Sequence, residues 1–73
     1  MIIGCPKEIK PQEFRVGMTP NAAREAVSHG HKVLIEASAG TGAGFEDADY
    51  LAAGAQVVLT AEEVFGAADM IVS

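Results

Sequence analysis

Four short apolar runs, at 1–5, 31–37, 55–59 and 70–73, divide the chain. Each is rich in Ile, Val or Leu, too short for a stable helix, and bounded by Pro6, Gly30, Gly54 or Asp69, so each reads as a strand. Between them the spacing changes. Ala23, Ala26 and Val27 fall at i, i+3 and i+4, one apolar stripe of a helix that lies on a sheet. Thr19 as N-cap and Pro20 at the first helical position start it, and Gly30 ends it. Residues 46–53 predict a second helix, because Glu46, Asp47 and Asp49 crowd a first turn where the backbone dipole favours negative charge, and Gly54 closes it. Thr60-Ala61-Glu62-Glu63 has the form of a capping box, the Thr60 side chain serving the Glu63 amide and Glu63 reaching back, and opens a third short helix to about residue 67. The order βαβαβαβ predicts an α/β fold with a mainly parallel sheet and right-handed crossovers. That is the first portion of a doubly wound, Rossmann-like (flavodoxin-like) domain.

Composition narrows the class. With 73 residues, 49% of them hydrophobic and 21% charged, the chain is globular in character, yet small enough that its stability is marginal without partners. It has no tryptophan and four aromatic residues, so the core must be built from Ala, Val, Ile and Leu. Cys5 is the one cysteine, which excludes an internal disulfide; at the end of an apolar strand it reads as a small buried side chain rather than a reactive thiol. The N-terminus shows neither a basic leader nor a long apolar run, so no signal peptide or membrane span is expected. Charge is unevenly spread: five basic and three acidic residues lie at or before Lys32, none basic and seven acidic after it. An acidic body argues against nucleic acid or an anionic membrane as partner.

Several stretches suggest chemistry that their spacing does not support. His29 and His31 are the only histidines, diverge across a helix end, and have no acid or thiol cluster beside them, so they read as structural and no metal site is expected. Ala39-Gly40-Thr41-Gly42-Ala43-Gly44 follows a strand but lacks the G-x-G-x-x-G spacing, the acidic residue about twenty positions on, and the Gly-Lys-Ser/Thr of a phosphate loop. It reads as a flexible structural loop. Glu46, Asp47 and Asp49 lack the twelve-residue calcium-loop pattern and are better explained as helix capping.

The stretch from Pro6 to Pro20 is different. It holds Lys7, Lys10 and Arg15, three of the five basic residues, and follows the first strand, at the end of the sheet where ligands of α/β folds gather. Arg15, between Phe14 and Val16, either forms a surface ion pair with Glu8 or Glu13, worth little, or presents its planar fork to a carboxylate ligand.

The runs Ile3-Gly4-Cys5-Pro6-Lys7-Glu8, Glu13-Phe14-Arg15-Val16, Thr19-Pro20, Gly30-His31-Lys32-Val33-Leu34-Ile35-Glu36, Ala39 to Phe45, Asp49-Tyr50 and Ala52-Ala53-Gly54-Ala55 recur in order at matching spacing. Together they resemble the opening of alanine dehydrogenases and of the related nicotinamide nucleotide transhydrogenase alpha subunits. Phe14 before the arginine and Gly44-Phe45 before the acidic turn look more like the alanine dehydrogenase branch.

The resemblance implies that residues 1–73 are the N-terminal portion of a substrate domain, that Arg15 grips the substrate carboxylate, and that the parent is a cytoplasmic homohexamer. It implies NAD held by a later domain, and reversible oxidative deamination of L-alanine to pyruvate and ammonia. The family's lysine, histidine and aspartate come after Ser73, which itself stands where the first lysine of a Lys-rich run is usual. No catalytic residue is therefore expected within the chain, and the 73 residues alone are expected to be inactive. An apolar strand left at the end also suggests a front piece of something longer. No large exposed apolar stripe is expected beyond that strand. Two alternatives stand beside this reading: the matching lobe of a transhydrogenase subunit, and a truncated, non-catalytic α/β module that binds a partner through its fourth strand.

Overall fold

The computed structural model describes residues 1–9 and 16–73. The elements are β1 (Ile2–Cys5), α1 (Pro20–Ser28), β2 (Lys32–Glu36), a 3₁₀ turn (Thr41–Ala43), α2 (Asp47–Ala52), β3 (Gln56–Val58), α3 (Ala61–Ala67) and β4 (Met70–Ile71). All pairings are parallel, in the order β3-β2-β1-β4, with Ile3 opposite both Val33 and Met70. The α/β class and the alternation are those expected. The strands end one or two residues inside the apolar runs, where ladder bonds stop, although Val72 N–H still donates to the Gly4 carbonyl (2.9 Å) beyond β4.

The order fixes where the helices lie. From β1 to β3 the chain steps one way, so right-handed crossovers put α1 and α2 on one face; from β3 it returns past β2 and β1 to β4, which puts α3 on the other. The larger core lies under α1 and α2 and contains Ile3, Cys5, Met18, Ala23, Val33, Ile35, Ala39, Tyr50, Ala53 and Ala55. Leu34, buried between Val33 and Ile35, points by strand alternation to the α3 face. There a Cβ on Gly4 would lie 2.6 Å from Val64 Cγ1 and 2.8 Å from Ala68 Cβ. Only glycine lets α3 sit this close to β1.

Local signals act as the sequence suggests. Thr19 Oγ1 accepts from Ala22 N–H (3.2 Å), and Gly30 and Gly54 take left-handed φ of 89° and 96° at their helix ends. Thr60 Oγ1 accepts from Glu63 N–H (3.2 Å), but Glu63 returns to the Thr60 hydroxyl (3.4 Å) rather than to the backbone amide. The glycine-rich stretch is not a free loop. Ala43 N–H and Phe45 N–H both donate to the Gly40 carbonyl (3.0 and 2.9 Å), closing a compact turn.

The expectation of little exposed apolar surface is wrong. Leu59 and Phe65, at either end of the β3–α3 region, are 80% and 57% exposed, and Leu51 on α2 is 57% exposed. The helices are so short that periodicity assigns these positions no face.

Candidate functional site

A parallel sheet collects ligands at its carboxyl edge, at the point where the strand order reverses. Here the reversal falls between β1 and β4. The carboxyl ends of these strands are Cys5 and Ile71, and the chain leaving Cys5 enters the connection that leads to α1. The last part of that connection turns back over β4. A Cβ on Gly17 would sit 2.6 Å from the Val72 carbonyl oxygen and 2.6 Å from Ser73 Cα, so the two backbones touch there.

Side chains from neighbouring elements hold both ends of the connection. At its start, Lys7 N–H donates to Glu36 Oε1 (2.8 Å), from the last residue of β2. At its end, the Tyr50 hydroxyl donates to the Met18 carbonyl (2.8 Å), a bond between residues 32 apart in sequence. Tyr50 is fully buried, lies edge-on to Phe45 with ring centroids 6.5 Å apart, and occupies the space a side chain at Gly40 would need. Gly40 therefore serves packing against the tyrosine ring rather than phosphate binding.

Burial, reinforced by the negative charges of Cys5, Asp49 and Asp47 when ionised, pushes the Tyr50 hydroxyl from 10.0 up to about 12. Folding thus favours the protonated phenol. Its contribution to stability is complete below the unfolded value near pH 10 and is lost as pH rises from 10 toward 12. Tyr50 is the one tyrosine in the chain, so phenolate absorbance reports it alone. The folded chain should ionise at clearly higher pH than the same chain in urea; coincident curves would contradict the buried hydrogen bond.

Cys5 is fully buried beneath the same corner. Burial pushes its thiol up, and the Met18 and Gly17 amides only partly offset this. It is a packing residue. His29 Nδ1 lies 2.8 Å from the Glu25 carbonyl at the end of α1, while His31 Nδ1 is buried with no partner among the described residues. The two imidazoles serve different surroundings, and among the described residues no group of three His, Cys, Asp or Glu side chains is placed to hold a metal. An open cleft of about 390 Å³ between α1 and α2, lined by Thr19, Arg24, Phe45 and Asp49 among others, contains no residue of β4 and flanks the reversal point.

Arg15, the residue the sequence singles out for substrate, lies outside the described residues, as do Lys10, Glu13 and Phe14. Described residues on both sides of it, Lys7 and Gly17, belong to the reversal point. Sequence reasoning did not find Glu36 and Tyr50. Their only local signal is polarity at the end of a strand and on an otherwise apolar helix face. No described residue builds a dinucleotide cradle, and no described helix is long and apolar enough to cross a membrane.

Comparison with known proteins completes the description. Residues 4–73 match the family described as "Alanine dehydrogenase/PNT, N-terminal domain". The chain is 51% identical over 72 residues to the alanine dehydrogenase of Methanococcus maripaludis, covering 99% of this chain and 19% of that protein. It is 48% identical over 67 residues to the alanine dehydrogenase of Bacillus subtilis, covering 92% and 18%. A solved L-alanine dehydrogenase superposes over the whole chain, and 20% of its own, with a TM-score of 0.96 at 55% identity. A transhydrogenase from Sinorhizobium meliloti does so over the same shares with 0.88 at 34%. The chain thus spans about a fifth of the length of the relatives it matches.

Proposed function

Because the chain belongs to the alanine dehydrogenase/PNT N-terminal domain family, we propose that it is the substrate-binding front of an NAD-dependent L-alanine dehydrogenase. The parent reaction is the reversible oxidative deamination of L-alanine to pyruvate and ammonia, with NAD as hydride acceptor. The observation that carries this reading is the contact of Gly17 with the backbone after β4, which brings the connection containing Arg15 to the reversal point of the sheet. In this reading Arg15 pairs its guanidinium with the carboxylate shared by alanine and pyruvate. A permanently charged fork fixes the α-carbon without titrating and leaves the proton chemistry to groups elsewhere.

The described residues do not fit NAD. The turn after β2 is closed on its own carbonyl at Gly40 and filled by Tyr50, so the dinucleotide belongs to a later domain of the parent. The 73 residues alone are then inactive. Exposed Leu59, Phe65, Met70 and Ile71 support burial of these surfaces against further protein, in a cytoplasmic homohexamer. The transhydrogenase likeness favours a second reading, the matching lobe of a transhydrogenase subunit. The higher identity and TM-score with L-alanine dehydrogenase favour the first.

The deciding assay uses the full-length enzyme. L-alanine with NAD should generate NADH and ammonia in equal amounts. Hydride exchange between the two nicotinamide dinucleotides without any response to alanine would select the transhydrogenase reading instead.

A further inference from the structure

The two side-chain bonds at the reversal point do not belong to any helix or ladder. Glu36 ends β2, one step past the Cys5–Ile35 pair, and its carboxylate takes the Lys7 amide at the start of the β1–α1 connection. Tyr50 projects from α2 through the core to the Met18 carbonyl at the end of that connection. The ring is fully buried and is braced by Gly40 and Phe45, so the position of its hydroxyl is set by the core. A segment gripped at both ends by two rigid elements loses much of the freedom its length would allow, which lowers the ordering cost of binding a ligand on it.

We propose that Tyr50 and Glu36 are positioning residues for the carboxylate-binding arginine. They fix the two ends of the connection that carries Arg15, and so set the affinity for the substrate carboxylate without touching it. The proposal rests on the reading of Arg15 as the carboxylate clamp. It adds that the clamp is aimed by α2 and β2, elements remote from the chemistry. The Tyr50 hydroxyl and the Glu36 carboxylate thus act through backbone atoms of Met18 and Lys7.

The test is steady-state kinetics on the full-length enzyme carrying Tyr50→Phe, Glu36→Ala or Glu36→Gln, at a temperature where thermal unfolding shows each variant folded. Misplacing a reacting group by about 1 Å costs roughly 100-fold, and releasing one of two tethers should cost less, about tenfold in KM for both alanine and pyruvate. KM for NAD should not move. Glu36→Gln keeps an acceptor oxygen for the Lys7 amide and should recover most of the loss seen in Glu36→Ala. In an Arg15→Ala background, Tyr50→Phe should change KM by less than about twofold, because no guanidinium remains to be aimed.

An unchanged KM in Tyr50→Phe and Glu36→Ala, with Arg15→Ala strongly impaired, would overturn the tether and leave the clamp standing. A loss in Tyr50→Phe of equal size with or without Arg15, or an equal rise in KM for NAD, would also overturn it. If Arg15→Ala itself leaves KM for alanine unchanged, the clamp reading falls and the tether with it.

Discussion

Replacing Arg15 by alanine in the full-length dehydrogenase should raise KM for L-alanine and for pyruvate by roughly 30-fold to several thousand-fold, with KM for NAD unchanged. The range follows from the about 2–5 kcal/mol lost when one partner of a desolvated, hydrogen-bonded charge pair is truncated, at about 1.4 kcal/mol per factor of ten. Arg15→Lys should restore only part of this, since an ammonium is a point charge and cannot present two parallel donors to a carboxylate. A surface ion pair with a nearby glutamate, the competing role for this arginine, is worth at most about 1 kcal/mol and would leave KM within a few-fold of wild type. The size of the effect therefore separates the two roles. A change confined to stability, with KM intact, would favour the ion pair.

The second large effect concerns the fold. Tyr50→Ala should leave the isolated chain unfolded, or close to it, at neutral pH. Tyr50 is the largest fully buried side chain, and its hydroxyl satisfies the Met18 carbonyl. Truncating a buried aromatic costs about 3–5 kcal/mol through lost burial and the cavity left behind. Leaving a carbonyl without its donor adds about 1–3 kcal/mol. Domains are typically stable by only about 5–15 kcal/mol, and one of this size sits at the low end. Urea titration followed by circular dichroism should show no cooperative transition for the variant beside a clear one for the wild type. A shift of less than about 1 kcal/mol would mean the tyrosine is not the central packing element.

What could be read from sequence was what is local. The Thr19 and Thr60 caps, the left-handed glycines at 30 and 54, and the apolar centre of β2 act through neighbours a few residues away, and each appears where its pattern places it. The parallel α/β class follows from their alternation. What escaped depends on contacts between distant residues. The return of the chain after β3, which creates the reversal point between β1 and β4, has no local signature. Gly17 is a loop residue in sequence, and only the path of the chain after β4 shows why a side chain there has no room. Gly40 reads as one of several loop glycines, but its place is dictated by the ring of a residue ten positions on. Tyr50 itself is one aromatic on a short helix, and its hydrogen bond spans 32 residues. The exposure of Leu59 and Phe65 escaped for the opposite reason: apolar residues signal burial, and nothing local marks those that the rest of a larger protein is left to cover.

The candidate site was legible as a location and as one residue type, through Arg15 and its place after the first strand. Its supports were not, because Glu36 and Tyr50 act through backbone atoms whose partners no motif specifies.

The central claim is that the connection after β1 holds the carboxylate of the substrate, and calorimetric titration of pyruvate into the full-length enzyme saturated with NADH tests it most directly. The account predicts clear heat of binding for the wild-type enzyme, and affinity weakened at least about 30-fold in Arg15→Ala, matching the loss of a charge-paired anchor. Equal pyruvate affinity in the two proteins would contradict it.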